Sequence, residues 1–121
     1  MILGNMNVGK TALANRYVHN TFNDDPKANR LVQELHKVVN LGFDSIMQAK
    51  LDIWDTLGQE RFMNVTKLFF QGSIGAFLVF DVGDRDSFEA LPKWINEIRE
   101  CCNNEIIMSL LGNKVDLPAK R

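Results

Sequence analysis

The sequence has few of the residues that mark secreted or membrane-spanning proteins. It contains two cysteines and three prolines in 121 residues. The cysteines, Cys101 and Cys102, are adjacent and cannot form an ordinary structural disulfide, which excludes a disulfide-rich scaffold and favours a reducing compartment. No apolar run approaches the roughly 20 residues that a membrane-spanning helix needs, and no signal peptide is visible. We therefore expect one domain, with no membrane anchor in this chain.

An excess of charge of either sign is also lacking. The net charge is −1 at pH 7. A protein that binds nucleic acid or an anionic membrane through electrostatics carries an excess of basic residues, so we expect no nucleic-acid partner. Internal repeats, low-complexity tracts and linkers are absent as well. Function is therefore expected to lie in the loops of a single domain.

What the sequence does contain is a phosphate-binding pattern near its start. The run from Gly4 to Thr11, GNMNVGKT, matches G-x-x-x-x-G-K-[ST]. In such a loop backbone N–H groups point at the phosphates, the lysine reaches the β- and γ-oxygens, and the hydroxyl ligates Mg²⁺. The pattern predicts that Thr11 is a metal ligand and Lys10 a catalytic group. The nucleotide-binding residues it predicts are Asn7, Val8, Gly9, Lys10, Thr11 and Ala12.

A second motif follows an alternating apolar stretch that ends at Trp54. Asp55 comes directly after this predicted strand, where a carboxylate can hold Mg²⁺ through water, so we assign it to the metal site. Gly58 lies three residues later, where its backbone N–H can approach a γ-phosphate. Gln59 is then placed to orient an attacking water, and we predict a catalytic role for it.

A third motif, Asn113-Lys114-Val115-Asp116, follows the apolar run that ends at Gly112. The carboxylate of Asp116 can accept hydrogen bonds from N1–H and the 2-amino group of guanine, a donor pair that adenine lacks. Asn113, Lys114 and Asp116 are therefore predicted to bind the nucleotide and to favour guanine. The alternative for the first motif, a glycine-bounded turn that opens an ordinary helix, loses weight because all three motifs occur in the expected order.

With these residues the chain resembles a Ras-like small GTPase, and more narrowly the Rab branch. The segment from Ile53 to Phe62, IWDTLGQERF, is similar to the Rab switch II signature, with Leu57 where the family usually has alanine. The resemblance implies GTP/GDP and Mg²⁺ as cofactors and a switch role in vesicle transport, in the cytoplasm at the cytosolic face of endomembranes. It also implies effector and regulatory proteins that bind through Asn29–Glu34 and Gln59–Phe70.

The alternation of strand and helix patterns predicts an α/β fold. By resemblance this is the three-layer sandwich of P-loop NTPases, with a mostly parallel sheet and one antiparallel edge hairpin. The predicted helices are Thr11–Val18, Met63–Phe70 and Ser87–Cys102, with a loop at Phe22–Leu31. The predicted strands are His36–Leu41 and Ala49–Trp54, which form the hairpin, then Ile74–Val82 and Ile106–Gly112.

The resemblance also implies more chain than the sequence contains. Only Met1, Ile2 and Leu3 precede Gly4, and the family would continue past Arg121 with a helix, a strand and a final helix. We therefore expect residues 1–121 to form an incomplete small-GTPase G domain that lacks the C-terminal helix-strand-helix and part of the first strand.

The first switch departs most from the family pattern. The position where the family places a Mg²⁺-binding threonine holds Asn29, which could offer an amide oxygen to this oxygen-seeking ion. Leu31 replaces a glycine, and Met6 in the phosphate loop would crowd Gln59. Slow hydrolysis is expected. Phe22, seven residues before Asn29, either packs against the guanine base, as in the family, or anchors its loop by burial.

Two functions from different classes remain open. The first is a regulatory GTPase that hydrolyses GTP and binds effectors, favoured by the retained Lys10, Thr11 and Asp55. The second is a non-catalytic fragment or pseudo-GTPase that acts as an interaction module with weak or no nucleotide binding, favoured by Asn29 and by the expected lack of the C-terminal segment. A P-loop kinase or ATPase is disfavoured by Asp116 and by the lack of a lid-like arginine cluster.

Overall fold

The computed structural model describes residues 1–22, 32–43, 46–56, 67 and 70–118, with only the backbone described for residues 32 and 33. Five strands and three helices are defined in these ranges. The strands are β1 (Ile2–Leu3), β2 (Val32–Leu41), β3 (Met47–Thr56), β4 (Gly75–Asp81) and β5 (Ile107–Asn113). The helices are α1 (Lys10–His19), α2 (Arg85–Glu89) and α3 (Leu91–Cys101).

The five strands form one sheet in the order β2-β3-β1-β4-β5. β1 is central and parallel to both neighbours, with Ile2 opposite Asp55 on β3 and Phe77 on β4. β4 and β5 are also parallel, while β2 and β3 pair antiparallel. The predicted α/β fold, with a mostly parallel sheet and one antiparallel edge hairpin, is confirmed.

Helices cover both faces of this sheet, because successive residues of a strand point to opposite sides. Ile2 and Val79 pack with Ala14 of α1 on one face. Leu3 and Leu78, their neighbours in sequence, pack on the other face. The apolar cluster on that second face is completed by Met1, Phe70, Ala76 and the α3 residues Leu91, Trp94 and Ile98. The predicted three layers are therefore present.

The edge hairpin is longer than predicted. It pairs every residue from Val32 opposite Thr56 to Leu41 opposite Met47, whereas the prediction began its first strand at His36. The polar residues near this end are compatible with a strand, because one face of an antiparallel pair can meet water. His36 Nδ1 lies 2.7 Å from Asp52 Oδ1 across the strands on this exposed face, while Leu35, the preceding residue of β2, is buried.

The helix predicted at Ser87–Cys102 is two helices. Asp84 caps α2, accepting a hydrogen bond from Asp86 N at 3.1 Å, so this helix begins earlier than predicted. α3 then begins at Leu91 with a proline in its first turn. Pro92 has no N–H and its ring clashes with the carbonyl four residues earlier, which explains the separation at Ala90. None of the helices in the described part of the chain is long and apolar enough to cross a membrane.

The remaining predicted elements agree closely or lie outside the described residues. α1, β4 and β5 match the predicted Thr11–Val18, Ile74–Val82 and Ile106–Gly112 apart from their end residues. The loop predicted at Phe22–Leu31 and the helix predicted at Met63–Phe70 fall mostly outside the described ranges.

Candidate nucleotide-binding site

The candidate site lies at the carboxyl ends of the parallel strands. Gly4 follows β1, Asp55 lies near the end of β3, and Asp81 and Asn113 end β4 and β5 opposite each other. Parallel strands present their carboxyl ends at one edge of a sheet, and ligands of open α/β folds bind there. The topology therefore places the three sequence motifs side by side.

The loop from Gly4 to Gly9 joins β1 to α1 through an unusual backbone path. Gly4 has φ +148° and Gly9 has φ +98°, and a Cβ on Gly4 would collide with the carbonyl oxygen of Val79. Asn7 adopts φ 65°, a left-handed conformation that asparagine tolerates better than most residues. The loop thus keeps its turn despite the bulky residues at its centre, and it delivers Lys10 to the first position of α1.

Lys10 is held inside this loop. Its side chain is only 5% exposed, and Nζ donates a hydrogen bond to the carbonyl oxygen of Asn5 at 2.7 Å. Burial disfavours the charged form and lowers the pKa of Lys10 to about 8, although the carboxylate of Asp55 opposes the shift. The ammonium therefore has little water around it. The negative charge of a phosphate would stabilise its charged form.

Thr11 and Asp55 meet beside the lysine. Thr11 Oγ1 donates a hydrogen bond to Asp55 Oδ2 at 2.5 Å. Asp55 is 5% exposed, and its other oxygen, Oδ1, is buried with no hydrogen-bond partner among the described residues. Burial raises the pKa of Asp55 above its ordinary value, partly offset by the bond from Thr11. An orphaned carboxylate oxygen in a buried position calls for a cation or a donor.

The third motif docks directly on the loop. Asn113 Nδ2 donates to the carbonyl oxygen of Val8 at 2.8 Å, and Lys114 Nζ donates to that of Asn7 at 2.5 Å. Lys114 also forms an ion pair with Asp81 Oδ2 at 2.9 Å, and this hydrogen bond lowers the pKa of Asp81. These contacts hold the turn after β5 against the phosphate loop.

The residues predicted to meet the base are exposed. Asp116 lies on the surface of the turn after β5, and Phe22 is 67% exposed. Phe22 therefore buries little against the described residues, and its interpretation as a buried loop anchor finds no support. Contact with a guanine base stays a prediction for both residues.

The chain is similar to known proteins over its whole length. The Ras family model matches residues 1–121. Ras-related protein Rab-4A of Mus musculus is 37% identical over 121 residues, covering all of this chain and 54% of the relative. Ras-related protein Rab-21 of Bos taurus is 41% identical, and that of Homo sapiens 40%, over the whole chain and 53% and 52% of those proteins.

The chain belongs to the Ras family, in its Rab branch of small GTPases. It spans about half the length of these curated relatives. Membership implies, at the level of the family, guanine nucleotide and Mg²⁺ as ligands, and the donor set present here fits the metal. A hydroxyl oxygen on Thr11 and the unsatisfied Oδ1 of Asp55 are hard oxygen ligands of the kind that Mg²⁺ prefers.

Several predicted site residues of this Rab-type chain lie outside the described residues. These are Asn29, Gly58 and Gln59, together with most of Gln59–Phe70. Of the predicted nucleotide-binding residues, the structure brings Asn7, Val8, Lys10, Thr11, Asn113 and Lys114 together around the loop. Gly9 also approaches Asn113 closely, since a Cβ on Gly9 would collide with Asn113 Nδ2. Ala12 lies in the first turn of α1.

The sequence reasoning missed three residues around this Rab site. Asp81 forms an ion pair with Lys114, and Asn5 accepts a hydrogen bond from Lys10 through its carbonyl oxygen. The hydroxyl of buried Ser87 accepts a hydrogen bond from the backbone N–H of Asp81 at 2.9 Å. Asp81 could have been found, because it is a carboxylate at the end of a buried strand, as Asp55 is. Asn5 lies within the Gly4–Thr11 motif but at a position where the pattern allows any residue, and no local pattern distinguishes Ser87 from an ordinary helix residue.

Proposed function

We propose that this Rab-type chain binds GDP and GTP with Mg²⁺ and acts as the nucleotide-binding part of a switch in vesicle transport, with slow GTP hydrolysis. The observation that carries the proposal is the convergence of buried Lys10, the Thr11–Asp55 pair and the docked Asn113–Lys114 turn on one loop. Lys10 offers a positive charge for the phosphates, Thr11 and Asp55 offer oxygens for a metal, and the Asn113–Lys114 turn would contact the base.

Each group has a distinct part in binding. Lys10 and the loop N–H groups would neutralise the β- and γ-phosphates. The carboxylate of Asp116 would select guanine by accepting hydrogen bonds from its N1–H and 2-amino group. Thr11 and Asp55 would hold Mg²⁺, which when bound neutralises charge that develops on the phosphates. Gln59 would orient the attacking water, and Gly58 would donate to the γ-phosphate. Positioning and electrostatics supply nearly all the acceleration of this reaction.

Partner proteins are proposed to bind through Asn29–Glu34 and Gln59–Phe70, at the cytosolic face of endomembranes. Hydrolysis would release both segments, and such order-to-disorder changes alter partner affinity. The trafficking role is supported by the similarity of this chain to Rab-4A and Rab-21, which are Ras-related proteins of the Rab branch.

A second candidate, a non-catalytic interaction module, is favoured by one feature of the sequence. Asn29 occupies the position of a Mg²⁺-binding threonine, and Leu31 replaces the following glycine. A first switch built this way would close poorly over GTP, so this candidate predicts weak nucleotide binding and no turnover.

The test is titration of the purified chain with a fluorescent GDP analogue, in Mg²⁺ and in EDTA, with GTP and ATP as competitors. The proposal expects saturable binding that GTP displaces, ATP does not, and EDTA weakens. Displacement by ATP would contradict the guanine site. A folded chain, verified by circular dichroism, that binds no analogue would favour the interaction module.

Hydrolysis is measured separately, by phosphate release under single-turnover conditions. Slow release that is abolished in Gln59→Leu supports the assigned role of Gln59. Release that is unchanged in that variant would remove Gln59 from the mechanism while leaving the nucleotide site intact.

A further inference from the structure

The phosphate loop is joined to α3 by a side-chain hydrogen bond that no motif accounts for. Trp94 Nε1 donates to Asn5 Oδ1 at 2.8 Å, between residues 89 positions apart in sequence. An indole N–H can only donate, so the atom that faces it must be the amide oxygen of Asn5. We infer that Asn5 is a positioning residue, held by Trp94, that sets the place of Lys10 and with it the affinity for the nucleotide phosphates.

The donor in this bond has no freedom to move away. Trp94 is 2% exposed and packs with Leu91, Ile98 and Phe70 in the apolar cluster between α3 and the sheet. A buried indole N–H without a partner costs free energy, because it has given up its hydrogen bond to water. The core therefore fixes the ring, and the ring fixes the amide group of Asn5.

Asn5 passes this constraint to the lysine through its own main chain. Its carbonyl oxygen accepts the hydrogen bond from Lys10 Nζ at 2.7 Å, while its side chain accepts from Trp94. One residue thus joins α3 to the buried ammonium. If the side-chain bond is lost, the carbonyl that anchors Lys10 is free to turn with the loop.

The role of Asn5 rests on the proposed nucleotide function and deepens it. The loop must present its N–H groups and Lys10 in one arrangement for phosphate to bind, and a preformed arrangement avoids the cost of ordering on binding. Loss of one hydrogen bond that maintains this arrangement should weaken affinity by about fivefold. The change should appear in nucleotide release, since most affinity differences within one interface do.

Trp94→Phe is the sharpest single test, because it removes the N–H and retains an aromatic ring. We expect GDP affinity about fivefold weaker in Trp94→Phe and in Asn5→Ala, and no weaker in the double variant, because both changes break the same bond. Ile98→Val is the matched control. Ile98 is fully buried in the same helix and cluster, but its aliphatic side chain takes no part in the bond between Trp94 and Asn5, so GDP affinity should stay at the wild-type value.

A spectroscopic readout separates positioning from a merely structural role. The chain has two tryptophans, Trp54 and Trp94, so Trp54→Phe leaves Trp94 as the only indole. GDP binding should change the emission of Trp94 in this variant, and the change should be absent when Asn5→Ala is added. A structural role alone would leave the nucleotide-dependent change in place.

The outcomes divide cleanly. Wild-type GDP affinity in Trp94→Phe, or effects of Trp94→Phe and Asn5→Ala that add in the double variant, would overturn the role of Asn5 while leaving the nucleotide function intact. Equal weakening in Ile98→Val would overturn it too, because any disturbance of α3 would then suffice. A folded wild-type chain that binds no GDP would overturn the nucleotide function and, with it, the positioning role.

Discussion

The phosphate-facing half of the site and the base-facing half differ in how far the protein itself completes them. In the phosphate half, Lys10 and Asp55 are buried and bonded to Asn5 and Thr11. In the base half, Asp116 and Phe22 lie at the surface. The phosphate half is therefore part of the buried interior, whereas the base half is exposed and could be covered by a ligand.

This difference predicts two kinds of variant. A residue of the phosphate half takes part in both folding and binding, because a buried polar group affects the stability of the domain as well as its ligand. A residue of the base half takes part in binding alone, because exposed substitutions leave stability almost unchanged. Measuring GDP affinity and the free energy of unfolding together for each variant tests the distinction.

Lys10→Ala should have the largest effect on binding. It removes a buried ammonium that faces the phosphates, and the loss of one partner from such a charged contact weakens affinity by about 100-fold or more. The measurement is competition against the fluorescent GDP analogue. Arg16→Ala is the matched control, because it removes the same charge from the exposed surface of α1 and should leave affinity unchanged. A similar loss in both variants would mean that net charge, and not this site, governs binding.

Lys10 should also make the stability of the domain depend on pH through the phosphate half. Its pKa is about 8 in the folded chain and ordinarily 10.5. Below pH 8 the amine is charged in both states, and folding carries the full cost of burying it. Between pH 8 and pH 10.5 the unfolded chain binds more protons at Lys10 than the folded chain does. The free energy of unfolding therefore rises with pH, by about 3 kcal/mol in total.

Urea denaturation in EDTA from pH 7 to 10.5 measures this slope. Lys10→Met is the control, since it has no amine to titrate and should lack the rise contributed by Lys10. Parallel slopes in the two chains would show that burial does not shift the pKa of Lys10.

Asp116→Asn should act on binding alone. GDP affinity should fall by about 10- to 100-fold, as expected for loss of charge-assisted hydrogen bonds to the base, and xanthosine diphosphate should compete better than in wild type. The urea midpoint should not move, because Asp116 is exposed. A lower midpoint would show that the base half supports the fold, and an unchanged GDP affinity would remove Asp116 from the site.

Asn113→Ala probes the contact between the halves and should have the smallest effect. Asn113 belongs to the base-reading motif, but its amide holds the carbonyl of Val8 in the phosphate loop. We expect a loss of about 1 kcal/mol in stability and about fivefold in GDP affinity. Val115→Ala, at an exposed position of the same turn, should change neither. An effect on affinity without one on stability would place Asn113 entirely in the base half.

Local patterns were sufficient to predict the phosphate loop and the order of strands, and insufficient wherever distant residues meet. The position of Gly4–Thr11 between β1 and α1 followed from a contiguous motif. The bond from Trp94 to Asn5 spans 89 positions and depends on α3 packing beside β1, which no local pattern contains. The pairing of Lys114 with Asp81 likewise depends on β5 lying next to β4.

The errors in element bounds have physical causes of the same kind. The hairpin was predicted too short because Glu34 is charged and gives no apolar signal. The strand nevertheless includes Glu34, because this residue lies on the water-facing side of β2. The break at Ala90 was missed because the amphipathic pattern continues through Pro92, whose missing N–H interrupts the helix without changing its apolar face. Asn29, Gly58 and Gln59 stay predictions.

The central position of β1 has a consequence for how the chain is made. Ile2 pairs with Asp55 and with Phe77, so β1 has no partner in the sheet until the much later β3 and β4 have been synthesised. β2 and β3 are neighbours in sequence and close only a short loop when they pair, whereas β1 must close two long ones. We expect the hairpin to form early during synthesis, and the phosphate loop to acquire its shape only after β4 has been added beside β1.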